Sequence, residues 1–256
     1  MSFYRPEEIL DQAIKSGKKK ALMSLHRRIV LGFLAGAYIS FGFLLYIRVT
    51  AQAPEHIWGA LSSFLGAALF PLGLIFVIVA GGELLTGNMM ALTTAFLQKE
   101  IRMKFVITNW VLICICNFLG AIFVSYVFGH FLGLTETEPY LEQTVNVAHS
   151  KISESPLRTF VSGIGANWLV CLAVWLAYAA KDITGKILGI WFPIMAFVAI
   201  GFQHVVANMF IIPAALFAGY FTWSQYLINF SFVLLGNLIG GAIFVAGFYW
   251  LAYRSE

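Results

Sequence analysis

Gly81-Gly82-Glu83-Leu84-Leu85-Thr86-Gly87-Asn88-Met89 is followed, 120 positions later, by Gly201-Phe202-Gln203-His204-Val205-Val206-Ala207-Asn208-Met209. The same offset lays Asn117-Phe118-Leu119-Gly120 on Asn237-Leu238-Ile239-Gly240. Each of the first two stretches interrupts a long apolar run, one with Gly, Glu, Thr and Asn, the other with Gly, Gln, His and Asn. Polar, glycine-broken segments in corresponding halves of a hydrophobic chain point to a solute pathway near the bilayer midplane.

Around these stretches the composition is that of a polytopic membrane protein: 60% hydrophobic, 11% charged, with a mean hydropathy of +0.84. Apolar runs lie at 30–47, 57–82, 88–97, 105–128, 158–180, 187–202, 205–218 and 226–252. A spanning helix needs roughly 20 apolar residues, so 88–97 and 205–218 are too short alone and join the runs before them. The expected fold is an all-α membrane protein with six transmembrane helices, the second and fifth broken. Three spans per half force the second copy to insert upside down, an inverted 3+3 repeat. The segments are 1–28, a cytoplasmic amphipathic helix; 29–130, the first repeat; 131–156, an outer connection; and 157–256, the second repeat.

Orientation follows from the basic residues. With the N-terminus inside, only Arg48, Lys151 and Arg158 of the 16 Lys and Arg fall outside, which places both termini in the cytoplasm. A bacterial inner membrane is the expected location. Residues 1–28 are polar and basic without an apolar core, so no cleavable signal is expected. No basic patch interleaves with aromatics on a soluble face, so no nucleic-acid partner is implied. Cys114, Cys116 and Cys171 fall inside spans and read as small apolar fillers. No zinc spacing occurs, and no cofactor or metal is expected. Residues 4–24 form an amphipathic helix, read first as lying on the membrane surface and alternatively as a lid over a pore mouth. Gly32-x-x-x-Gly36 and Gly236-x-x-x-Gly240 allow close helix crossings, within or between protomers.

His204 is the sharpest single residue, an ionisable group between two apolar half-helices. It could hydrogen-bond a small anion or pass it a proton. Thr86 and Asn88 occupy the matching break, where they line the opposite wall or cap the following helix; capping is the leading reading for Asn88 and Asn208. Glu83 aligns with Gln203. A midplane carboxylate would repel an anion, so Glu83 is read as supporting the break by binding its backbone N–H groups. By spacing alone, Lys151 is an ordinary interfacial lysine in an acidic outer loop. Phe70, Leu74, Leu84, Val170 and Phe197 are either constrictions or core, with core the default.

At these residues the chain resembles the formate/nitrite transporter family. Glu83-Leu84-Leu85-Thr86 is similar to its Glu-Leu-x-Thr loop, and Gly201 to Met209 to its Gly-[Phe/Tyr]-Glu-His-x-x-Ala-Asn signature. Asn167 to Ala173 and Gly236-Asn237-x-x-Gly240-Gly241 fit its fourth and sixth spans. The resemblance implies an aquaporin-like fold, a homopentamer in the lipid bilayer with one pore per protomer, and transport of formate, nitrite or hydrosulfide. It makes His204 the central pore histidine, Thr86 its loop partner and Lys151 an outer lysine near Thr86. It makes Asn167 a pore-lining amide, with Asn237 placed on the same pathway. Phe70, Leu74, Leu84, Val170 and Phe197 become the collars. Gln203 departs from the family's Glu and removes a charge from beside the imidazole, which bears on proton coupling.

The implied mechanism follows from the cost of dehydrating an anion. Lys151 and the half-helix dipoles would gather the anion, a proton would neutralise it, and the weak acid would pass the collars past His204 and Thr86. Formate ranks ahead of nitrite and hydrosulfide. An aquaporin-like channel for neutral solutes is the alternative of another class, but the breaks lack Asn-Pro-Ala boxes. An enzyme would need a nucleophile–base pair or metal ligands at helical spacing, and the sequence has neither.

Overall fold

Lipid offers the backbone no hydrogen bonds, so a chain this apolar must satisfy its peptide groups internally. The computed structural model describes residues 3–53 and 55–254, the side chains of 55 and 56 excepted. In chain order the helices are α1 (Pro6–Ala21), α2 (Leu25–Thr50), α3 (Ala60–Gly81), α4 (Leu85–Leu97), α5 (Met103–Phe131), α6 (Tyr140–Ile152), α7 (Pro156–Ala179), α8 (Ile183–Ile200), α9 (Val205–Phe217) and α10 (Trp223–Tyr253). A four-residue turn, Glu55–Trp58, precedes α3. Among the described residues, α2, α3, α5, α7, α8 and α10 are long and apolar enough to cross a membrane. The β structure described is the single bridge between Phe3 and Ala180.

The two polar stretches fall where the helical ladder stops. The last turn of α3 widens to π geometry over Phe76–Gly81, and Gly82 (φ −165°) and Leu84 (φ −98°) are extended before α4 begins. The second half repeats the pattern between α8 and α9, with His204 extended at φ −110°. Gly81 (φ +104°) and Gly201 (φ +87°) make the turn out of the helix in the left-handed region that favours glycine. These residues are 120 apart, so the sequence offset is also a backbone offset. The 13-residue α4 and α9 are buried on nearly every side, as expected of helices that are apolar all round.

Close crossings bring the walls together. A Cβ on Gly36 would sit 2.0 Å from the Asn117 carbonyl oxygen, and one on Gly120 2.0 Å from that of Phe33. In the second half, Cβ atoms on Gly236 and Gly240 would meet the Phe160 and Ile164 oxygens at 2.2 and 2.3 Å. The small-residue pairs therefore pack α2 against α5 and α7 against α10 within one chain.

The N-terminal helix forms as expected, with Pro6, Glu7 and Glu8 in its first turn and Lys18 to Lys20 in its last. Its buried face (Ile9, Leu10, Ala13, Gly17) packs on the protein, Gly17 lying against the Ala91 carbonyl of α4. The Tyr178 hydroxyl donates to Ser16 Oγ at 2.8 Å. The connection between the repeats contains a helix, α6, tied to α2 by Gln143 Nε2 donating to Thr50 Oγ1 at 2.9 Å and by the Arg48 guanidinium stacked on Tyr140.

Gly120→Ala and Gly236→Ala should each part a helix pair and lower stability by about 2 kcal/mol. Thermal unfolding of the detergent-solubilised protein checks this against Gly247→Ala, where the nearest contact to an added Cβ is an ordinary 3.4 Å.

Candidate functional site: two helix breaks meeting at a histidine

Each break strands backbone groups in an apolar interior, and one asparagine from the third or sixth span answers them. Asn117 Oδ1 accepts the Leu85 N–H at 2.9 Å, while its Nδ2 donates to the carbonyls of Glu83 (2.9 Å) and Gly32 (2.7 Å). Asn237 Oδ1 accepts the Val205 N–H at 2.9 Å, and its Nδ2 donates to Gln203 O (3.1 Å) and Gly163 O (2.8 Å). A carboxamide suits this task because it offers an acceptor and two donors on one rigid plane.

A second polar layer also repeats. Asn88 Nδ2 donates to Glu83 Oε2 (2.8 Å) and Asn109 Oδ1 (2.9 Å). Asn208 Nδ2 donates to Gln203 Oε1 and Asn229 Oδ1, both at 2.9 Å. Asn88 and Asn208 thus cap neither helix, because each already lies inside the first turn and faces sideways. His204 caps α9 instead, its Nδ1 accepting the Ala207 N–H at 3.2 Å.

The layers diverge beyond these bonds: Asn229 Nδ2 also donates to Gln203 Oε1 at 2.8 Å, whereas Asn109 Nδ2 has no hydrogen-bond partner among the described residues. Glu83 Oε1 accepts from the Lys20 ammonium of α1 at 2.7 Å, a pair with side chains 18% and 5% exposed. Glu83 therefore binds an ammonium and an amide, not the backbone N–H groups expected of it. Gln203 Nε2 instead donates to the main-chain carbonyl of Lys151 at 3.1 Å, beside Asn229 Nδ2 at 2.8 Å. An acid stands where a cation is presented, and an amide where a carbonyl is presented.

Between the breaks, Thr86 Oγ1 lies 2.9 Å from His204 Nε2. A backbone amide can only donate, so Nδ1 is the bare nitrogen, and in the neutral ring Nε2–H points at Thr86. Three cavities follow one another by shared lining residues, two of them touching His204. The first, about 230 Å³, reaches from Ser150 and Lys151 to His204 and ends at Phe70 and Phe197, whose ring centroids are 5.6 Å apart. The second, about 10 Å³, is bounded by Phe70, Phe197, His204, Leu74, Leu84 and Val170. The third, about 20 Å³, continues from Leu74 and Leu84 to Lys20, Asn88 and Tyr178. Lys151 Nζ donates to Gly201 O at 3.1 Å. Burial lowers its pKa to about 8, and the charge of Glu154 opposes the shift.

The structure thus gathers His204, Lys151 and the five apolar residues along these cavities, with Thr86 outside their lining but bonded to His204. Asn167 and Asn237 line none of these cavities. Asn167 is fully buried, and its Nδ2 donates to Asn237 O at 2.6 Å. Sequence reading passed over Lys20, Asn109 and Asn229. The two asparagines are 120 apart, a signal the offset could have supplied; nothing local marks Lys20. Among the described residues, no group of three His, Cys, Asp or Glu side chains is placed to hold a metal ion.

Six spans around a narrow, histidine-centred line of cavities define a membrane transport protein. The model of the family described as formate/nitrite transporter matches residues 7–251, and the chain belongs to that family. It is 56% identical over 256 residues to "Uncharacterized transporter YrhG" of Bacillus subtilis (strain 168), covering 100% of this chain and 96% of that protein. It is 54% identical to "Formate channel BtFdhC" of Bacillus thuringiensis, covering 100% and 98%. The solved "Pentameric formate channel with formate bound" matches with a TM-score of 0.78 at 29% identity, covering 89% of this chain and 97% of that one.

Asn117→Ala and Asn237→Ala should each cost about 2–3 kcal/mol by leaving buried backbone groups unpaired. Thermal unfolding followed by tryptophan fluorescence reads the loss; unchanged stability in both would remove their clamping role.

Proposed function

We propose that this protein is a channel for small monovalent anions, with formate its main substrate and the proton moving with it. The observation that carries this reading is the run of cavities from Lys151 to His204 and on past the apolar residues, with Thr86 hydrogen-bonded to His204. The named formate channels of similar sequence and structure favour formate over nitrite and hydrosulfide. In this reading α3 with α4 and α8 with α9 each make one interrupted span, the two halves being inversely inserted. The chain assembles as a homopentamer with one route per protomer, in a bacterial inner membrane with both termini in the cytoplasm.

The geometry supports a division of labour. The Lys151 ammonium attracts an anion into the 230 Å³ outer cavity, helped by the positive end of the α9 dipole. Phe70 and Phe197, then Leu74, Leu84 and Val170, leave room for little more than a water, so charge must be shed before passage. A proton from vestibule water gives the neutral acid, and His204 Nε2–H with the Thr86 hydroxyl replaces the hydrogen bonds lost with water. The acid ionises again beyond Leu74 and Leu84.

Formate uptake into proteoliposomes tests this. Lys151→Ala should lower uptake at sub-saturating formate about tenfold, and His204→Ala should change the flux, each with the oligomer intact. Unchanged uptake in both variants would sink the assignment.

Raising the outer pH through about 8 should weaken formate capture, because the Lys151 ammonium is charged below that value and neutral above it. Lys151→Ala should lose that step. Flux indifferent to both anion and pH gradients would point to a neutral-solute channel instead, and competition by nitrite and hydrosulfide ranks the anions.

A further inference from the structure

The two breaks share the bonds of Asn117 and Asn237 and those of Asn88 and Asn208, and they differ in charge at their lysines. At the α1 end the Lys20 ammonium is paired at 2.7 Å with Glu83, and Lys18 is paired with Glu100 at 2.7 Å beside it. At the α6 end the residue equivalent to Glu83 is Gln203, whose amide satisfies the Lys151 main chain and leaves the side chain alone. Among the described residues no carboxylate lies within ion-pair distance of Lys151 Nζ, which bonds only the Gly201 carbonyl.

The spaces differ in the same sense. The cavity that Lys151 lines holds about 230 Å³, whereas the one at Lys20 holds about 20 Å³, room for roughly one water. An anion arriving at the α6 end therefore meets an available cation in open space. One arriving at the α1 end must displace a buried carboxylate from its partner.

We propose that the residue at position 83 or 203 sets the charge of its own mouth: Glu83 neutralises the α1 mouth and Gln203 keeps the α6 mouth cationic, so anions are captured preferentially at the α6 mouth. This rests on the anion-route reading above. Gln203 is a specificity-determining residue that acts on the ligand through Lys151. Both ends of its own side chain are engaged, Oε1 accepting from Asn208 and Asn229 and Nε2 donating to Lys151 O.

The other charged or titratable groups near Lys151 are few. Glu154 and Arg158 line an adjoining cavity with it, and His204 and Tyr46 line the inner wall of its own. Along α6, Arg48 of α2 is stacked on Tyr140 and His149 lies against Phe221. From α10 the nearest group is the neutral Asn229 amide. None stands where a carboxylate at 203 would stand.

The test uses the full chain in right-side-out and inside-out membrane vesicles, with labelled formate presented to one face at a time. Gln203→Glu should raise the half-saturating formate at the α6 face about tenfold, leave the α1 face unchanged, and move the alkaline loss of capture to higher pH. Glu83→Gln should lower the half-saturating value at the α1 face by a similar factor and leave the α6 face unchanged. An unchanged α6 value in a Gln203→Glu protein that still carries formate, or equal changes at both faces, overturns the proposal. Should Gln203→Glu fail to assemble, Glu83→Gln decides alone, and an unchanged α1 value overturns it. Wild-type vesicles without saturable formate flux overturn the anion-route reading itself and this inference with it.

Discussion

A helix interrupted inside an apolar protein leaves amide and carbonyl groups with neither a ladder partner nor water, at several kcal/mol each if they stay unpaired. Asn117 and Asn237 answer that problem with three hydrogen bonds apiece. The rest of the architecture follows from placing those two carboxamides. Gly36, Gly120, Gly236 and Gly240 bring backbones into contact so that a short side chain can reach across. Gly81 and Gly201 turn the chain out of its helices at the matching points. Only then do α4 and α9 start opposite one another, with Thr86 and His204 at hydrogen-bond distance.

The duplication is held most strictly where backbone satisfaction is at stake and relaxed where the surroundings differ. The pairs 85–117 and 205–237, 88–83 and 208–203, and 88–109 and 208–229 are the same bonds shifted by 120. Lys20 and Lys151 break the pattern because they come from unlike elements, the N-terminal helix and the connection between repeats. Once one mouth presents an ammonium and the other a carbonyl, an acid and an amide are the two residues that fit. Gln203 is then a local solution to hydrogen bonding as well as a change in charge.

Much of the site was legible because it disturbs an apolar background. His204, Thr86, Glu83 and Gln203 stand out as polar residues at repeated positions. Other features were not legible. Asn167 and Asn237 looked like pathway amides, yet they clamp backbone, and a sequence does not say which way a buried amide faces. Asn88 and Asn208 looked like caps, but a residue one turn inside a helix cannot reach its own free N–H groups. Phe70, Phe197, Leu74, Leu84 and Val170 are chemically indistinguishable from the core residues beside them; their place along the cavities depends on how α3 and α8 are rotated.

By itself, the sequence determined the number of apolar spans, the 120-residue offset between its halves and the positions of the interruptions, because hydrophobic length and the misfit of polar or glycine residues in lipid are local properties of the chain. The tertiary structure alone decided that α1 packs its apolar face on α4, that Lys20 reaches Glu83 across 63 positions, and that Lys151 opens into a cavity ending at His204. Those facts depend on helices far apart in the chain approaching within a few ångströms. The direction a side chain then takes is set by neighbours that no local pattern records.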